Sequence, residues 1–138
     1  MRHQHTTQLR WSDPDMLGHL NHARILSLIE DARMAFLGVS PTEGAEHGGS
    51  PRGIILARLE VDYLRQVHYR AGVSLPVESW ITKLGTKSLT MRQELHQDGE
   101  VALRGDAICV AFDYAADRSR PFDPDEREFW TSYQDDLP

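Results

Sequence analysis

The sequence predicts an α+β domain in which one long central helix is wrapped by a curved antiparallel sheet of about five strands. Two observations lead there. A single stretch with strong helical periodicity follows Asn21, and every other extended apolar pattern in the chain alternates with period two. The order is also decisive: one weak strand, the helix, then four long strands in succession, which is not the strand–helix alternation of a parallel α/β sheet. At 138 residues the chain is read as one domain spanning 1–138, long enough to bury a core without staples.

The elements are justified in chain order. "QHTTQLRW" alternates weakly and is read as a strand. Ile25, Leu28, Ile29, Ala32 and Phe36 share one helical face, and Leu26 and Leu37 widen it. Asn21 is the natural N-cap, because its side-chain oxygen can accept from an orphan N–H, and Gly38 with Pro41 stops the helix near residue 37. "GAEHGGSPRG", residues 44 to 53, reads as a loop. Alternation resumes after it, with Ile55, Ala57, Leu59, Val61 and Tyr63 on one face and Arg58, Glu60 and Asp62 on the other. "SLPVESWITKL" and "SLTMRQEL" are two further strands, and Asp98-Gly99 marks a tight hairpin into "VALRGDAICVAFDY". After Pro121, "DPDEREFWTSY" suits a short terminal helix behind an acidic cap.

Composition narrows the function classes. Acidic residues outnumber basic ones 21 to 15, for a net charge of −6, so the broad basic face of a general nucleic-acid binder is not expected. The single cysteine, Cys109, lies in the apolar run "AICVAF" and is read as a buried thiol in a reducing compartment. It permits neither an internal disulfide nor a cysteine-based metal site. No apolar segment suits export or membrane insertion, and a cytoplasmic protein is expected.

The helix entrance concentrates the polar chemistry. "WSDPDMLGHLNHARILSLIEDAR", residues 11 to 33, sets Asp13, Asp15, Gly18, His19, Asn21 and His22 immediately before the amphipathic stretch. The pattern D-x-D-x-x-G-H-x-N followed by E-x-A-R (Glu30 to Arg33) resembles the hotdog-fold acyl-CoA thioesterases of the 4-hydroxybenzoyl-CoA thioesterase family. "LEVDYLRQV" is similar to that family's second strand, "KLGTKSLTMRQEL" to its G-x-x-S stretch, and "ICVAFDYAADRSRP" to its last long strand. Two positions depart from the pattern: Ile25, where many relatives have Tyr, and Gln66, where many have Pro. They put the substrate choice outside what the resemblance carries.

The resemblance implies hydrolysis of an acyl-CoA to free acid and CoA, with no cofactor and no metal. Asp15 would be the catalytic carboxylate, either a general base on water or a nucleophile forming a mixed anhydride. The backbone N–H groups of His22 and Ala23, at the positive end of the helix, would hold the thioester oxygen. Gly18 leaves room for a close backbone approach, His19 and Asn21 orient the carboxylate, the water or the loop, and Asp13 is read as structural. Met16 and Leu17 are assigned to the underside of the loop. Lys87, beside Ser88 in the G-x-x-S stretch, is the preferred contact for the phosphates of CoA among Arg58, Arg65, Arg70, Lys83 and Lys87. His19 with His22, and His3 with His5, are too closely spaced for the usual i, i+4 zinc pair on a helix. A homodimer or homotetramer with the site at the subunit interface is implied. The alternatives are a non-catalytic acyl-CoA or acyl-ligand binding module on the same fold, and a subunit with a purely structural role.

Overall fold

Seven strands and two helices follow one another in the computed structural model, which describes residues 1–10, 16, 19–42, 46–47 and 50–135. They are β1 (His3–Gln8), α1 (His22–Gly38), β2 (Glu46–His47), β3 (Ser50–Tyr63), β4 (Ser74–Leu84), β5 (Ser88–Gln97), β6 (Glu100–Asp113), β7 (Arg118–Ser119) and α2 (Pro124–Ser132). The strands form one antiparallel sheet in the order β1-β4-β5-β6-β3-β2, with β7 added to the end of β6. The sheet thus has two strands more than the expected five or so, β2 and β7, of two residues each. β2 and the first residues of β3 fall inside the stretch read as loop. The expected hairpin stands at Asp98-Gly99, both with positive φ (55° and 76°), between the paired ends Gln97 and Glu100.

One long central helix is not what the chain builds. Among the described residues there are two shorter helices, of 17 and nine residues. Seventeen residues give about 25 Å of helix, against roughly 46 Å for a 14-residue strand. α1 therefore covers part of the sheet, packing on β1, β4 and β5 and leaving the inner face of β3 less protected. Ile25, Leu28, Ile29 and Ala32 close one core cluster with Val67, Leu75, Val77, Leu95 and Leu103. Phe36 and Leu37 enter a second with Ile81, Leu89, Met91 and Cys109. There α2 supplies what α1 is too short to reach: the Trp130 ring meets Phe36 edge-on at 5.1 Å. Burial pushes the Cys109 thiol up to about 11.

The face assignment of β3 needs a correction. The register of β3 against β6 slips between Leu56 and Arg58, so Ala57 is the extra residue of a bulge. Beyond it Leu59, Val61 and Tyr63 lie on the inner face as expected, opposite Ala107, Gly105 and Leu103. Before it the phase is reversed: Ile54 and Leu56 lie inward opposite Ala111 and Cys109, and Ile55 turns outward opposite Val110. A one-residue insertion moves every preceding side chain to the other face, and alternation alone cannot show it. Apart from its short pairing with β2 at Ser50 and Pro51, the outer edge of β3 carries no neighbouring strand among the described residues. No helix among them is long and apolar enough to cross a membrane.

α2 is anchored by charge. Glu126, fully buried, accepts from Arg120 Nη1 (2.7 Å) and Nη2 (3.0 Å), from the Asp123 N–H (3.0 Å), from Arg52 Nη1 (3.4 Å) and from the Thr42 hydroxyl. Arg52 also pairs with Asp123 and Asp125. Burial alone would raise the Glu126 pKa, but the hydrogen bonds from Arg120, Thr42 and the Asp123 backbone, with the charge of Arg120, bring it down to about 2.

Candidate active site

Asn21 begins α1 as expected of a cap. Its backbone is extended (φ −62°, ψ 141°), its Oδ1 accepts from the Ala23 N–H at 2.8 Å, and its carbonyl accepts from Arg24 N (3.0 Å) and Ile25 N (3.1 Å). The N–H of Ala23, assigned to the thioester oxygen, is thus taken by the cap. The His22 N–H is the first-turn donor left without a partner among the described residues.

A second segment, residues 64–68, forms the opposite wall. The Leu64 and Arg65 N–H groups donate to the Ala102 carbonyl (2.9 and 3.1 Å), tying the segment to β6. Leu20 N donates to Val67 O at 2.8 Å, and His19 pairs with His68 in a short antiparallel bridge, tying it to the helix entrance. The two imidazoles meet edge to face with centroids 4.8 Å apart. Between the walls lies a cleft of about 480 Å³, lined by Leu20, Asn21, His22, Ile25, Tyr63, Leu64, Arg65 and Gln66. The Tyr63 ring stands edge-on to His22 at 6.4 Å.

Sequence reasoning missed Gln97. Its carboxamide accepts from the His68 N–H (3.0 Å) and donates to the His68 carbonyl (2.8 Å), the paired bonds that a neighbouring strand would supply. Gln97 is buried, and it fixes the segment that carries His68 and so orders the wall facing His19. Nothing in the local sequence announces this, because Gln97 ends a strand as an ordinary polar residue before a turn. On the far side of the wall a second cavity of about 550 Å³ is lined by Arg65, Gln66, His68, Arg70, Gln97, Asp98, Glu100 and Ala102.

The other assigned residues divide into three groups. Asp13, Asp15, Gly18 and Leu17 lie outside the described residues. Met16, expected beneath the loop, has a fully exposed side chain. Lys87 and Ser88 are not brought to the helix entrance within one chain. They stand at the β4–β5 turn, where Lys87 O accepts from Ala111 N and Gly85 N donates to Ser88 O, both at 2.8 Å. The ten residues of β5 put about 30 Å of strand between them and Gln97.

The candidate phosphate contacts differ in availability. Arg58 pairs with Glu60, Arg65 with Glu100, and Arg70 with Asp98 through two bonds of 2.7 and 2.9 Å. Lys87 is exposed and has no ion pair among the described residues. Among the described residues two groups of side chains have metal-ligating spacing, Glu78–Glu94–His96 and Asp123–Asp125–Glu126. Their carboxylates already hold arginines: Arg2 on Glu78, Arg104 on Glu94, and Arg52 and Arg120 on the second group. The histidines also part company. His3 stacks on Phe36 at 4.6 Å, far from the pair His19–His68.

A family model described as the thioesterase-like superfamily matches residues 9–129. Among solved structures, a predicted thioesterase from Bacillus stearothermophilus is similar at 25% identity, with TM-score 0.86 and all of both chains covered. A thioesterase from Thermus thermophilus complexed with coenzyme A and Zn is similar at 30% identity, with TM-score 0.77, over 95% of this chain and 92% of that one. A hypothetical protein from Staphylococcus aureus in complex with CoA shares the fold at 16% identity, with TM-score 0.85, over 100% and 89% of the two chains. No curated protein sequence matches this chain.

Proposed function

Because the chain belongs to the thioesterase-like superfamily, we propose that it is an acyl-CoA thioesterase, with its site at the N-terminus of α1. The observation that carries this reading is the cleft at that terminus, lined by His22, whose N–H the Asn21 cap leaves without a partner among the described residues at the positive end of the helix. A CoA-bound thioesterase at 30% identity supports CoA as the carrier of the acyl group. Within the superfamily, the D-x-D-x-x-G-H-x-N and E-x-A-R segments favour the 4-hydroxybenzoyl-CoA thioesterase family in our reading.

In this mechanism the thioester carbonyl oxygen rests against the His22 N–H. Negative charge that develops on that oxygen is then stabilised by a donor already in place. Asp15 removes a proton from water as it attacks the carbonyl carbon, or attacks that carbon itself to give a mixed anhydride that water then opens. Either way the C–S bond breaks, the CoA thiolate leaves, and the acid is released. His19, held edge-on to His68, and Asn21, held as the cap, shape the entrance. Gly18 allows the backbone to approach.

The open edge of β3 supports a homodimer. Antiparallel pairing of two β3 strands sets the Tyr63 end of one beside the Arg52 end of the other. The Lys87–Ser88 turn of the second copy, joined to β6 next to that end, then approaches the first copy's helix entrance. In that arrangement residues that one chain does not bring together serve one site.

Asp15→Asn tests the reading. The amide keeps the size of the carboxylate but neither accepts a proton from water nor attacks the thioester, so thiol release should fall by on the order of 10²- to 10⁴-fold. Binding of CoA and molecular size in solution should not change. Asp13→Asn should cost much less in kcat. A folded Asp15→Asn variant that hydrolyses acyl-CoA at the parental rate overturns the mechanism.

A further inference from the structure

Three consecutive carbonyls of the β4–β5 turn are each held by a donor from later in the chain. Gly85 O accepts from Arg127 Nη1 of α2 at 2.7 Å, Thr86 O from Phe122 N at 3.0 Å, and Lys87 O from Ala111 N of β6 at 2.8 Å. The Gly85 N–H is also used, on Ser88 O. The N–H groups of Thr86 and Lys87 have no partner among the described residues, and both residues are exposed. A turn whose carbonyls are taken and whose successive N–H groups are open is polarised to receive an anion.

The charges around the turn have the matching sign. Lys83 ends β4 just before it, Lys87 lies within it and Arg127 is bonded to it. All three are exposed and make no ion pair among the described residues, whereas the exposed Arg58, Arg65 and Arg70 each hold a carboxylate. The acidic groups of the neighbouring elements have other partners: Asp123 and Asp125 meet Arg52, Glu126 meets Arg120, and Asp113 accepts from the Ala115 and Ala116 N–H groups.

Arg127 links the two halves of this arrangement. Glu126, one residue earlier, is buried and bonded to Arg120, so the first turn of α2 is fixed and Arg127 starts from a fixed backbone. One guanidinium nitrogen then holds the turn, and the rest of the group adds its charge beside Lys87. We infer that Arg127 is a positioning residue for phosphate binding: from α2 it holds the β4–β5 turn so that the Thr86 and Lys87 N–H groups and the Lys87 ammonium meet one phosphoryl group. The inference rests on the thioesterase reading, in which CoA brings the phosphates. It adds to Lys87 a backbone anion site, and gives α2 a task beyond closing the core.

The test uses the full chain, titrated with adenosine 3′,5′-bisphosphate, which carries phosphates on a nucleotide and no thioester, and with inorganic phosphate and adenosine, followed by calorimetry and backbone amide NMR. The bisphosphate should bind saturably and shift the Thr86 and Lys87 amide resonances; adenosine should not. Arg127→Met should weaken that binding by about tenfold and cancel both shifts. The fold should survive, because the side chain is exposed. Arg127→Lys, which restores a donor and a charge, should return binding to within about threefold of the parent. In kinetics Arg127→Met should raise KM for acyl-CoA by about tenfold, keep kcat, and leave hydrolysis of the same acyl group on N-acetylcysteamine unchanged. Because Arg127 acts through the turn that carries Lys87, Lys87→Ala should cost less in the Arg127→Met background than in the parent. Additive losses, bisphosphate binding that Arg127→Met does not weaken, unmoved Thr86 and Lys87 amides during saturable binding, or no bisphosphate binding to the folded protein would each overturn the inference. Inorganic phosphate bound as tightly as the bisphosphate would overturn it too, by making the turn a site for free phosphate. Bisphosphate binding with both amide shifts but no hydrolysis of any acyl-CoA would count against the proposed function and leave the role of Arg127 standing.

Discussion

Glu126 should make the fold acid-labile within a definite window. Its folded pKa is about 2 against an ordinary value of 4.5, a difference of about 2.5 units. At 1.36 kcal/mol per unit, that is roughly 3 kcal/mol of stability. Because the folded pKa lies below the unfolded one, the stabilisation is complete above about pH 4.5 and is lost as pH falls from there toward 2. Glu126→Gln removes the charge that faces Arg120 and Arg52 while keeping the side chain's shape. It should cost on the order of 3–5 kcal/mol at pH 7, because two arginines lose their buried partner. Urea denaturation of parent and variant at pH 7, 5 and 3 measures this. The gap between the two should be widest at pH 7 and shrink by pH 3, as the parent loses what the variant never had. A gap independent of pH would refute the charge argument and leave only lost packing of α2 on Phe36. A parent whose stability does not fall below pH 4.5 would refute it as well.

Other outcomes follow from the site. Gln97→Met should accelerate hydrogen exchange at the His68 amide, destabilise by about 1–3 kcal/mol and lower kcat without changing the oligomer; unchanged exchange would show that the clamp does not order the wall. Lys87→Ala should raise KM for acyl-CoA more than it changes kcat, and should matter little for a short thioester lacking the nucleotide. Equal loss on both substrates would give Lys87 a structural role instead. EDTA should leave hydrolysis unchanged, since carboxylate and helix N–H chemistry needs no metal, and a loss restored by zinc would revive the histidine reading.

What depends on neighbours along the chain was legible in the residues alone. The 3.6 period after Asn21 places a helix at about residues 22–37, and α1 runs His22–Gly38, because an apolar stripe must be buried and a cap oxygen must meet an orphan N–H. Alternation and Asp98-Gly99 place β4, β5 and β6, because side chains on a strand have period two and two adjacent positive φ values suit Asp-Gly. The polar crowd at the helix entrance points to the proposed site for a related reason: a helix N-terminus presents donors whatever the fold around it. Tertiary structure decided the rest. The Ala57 bulge, which turns Ile55 outward and Leu56 inward, depends on register against β6, and no local pattern encodes a partner's register. α1 and α2 share the work expected of one helix because the sheet is longer than α1. Gln97 reaches His68 across 29 positions, and Arg33 reaches Gln93 across 60. An amide and a guanidinium have chemical meaning only once their partners, or the lack of them, are known.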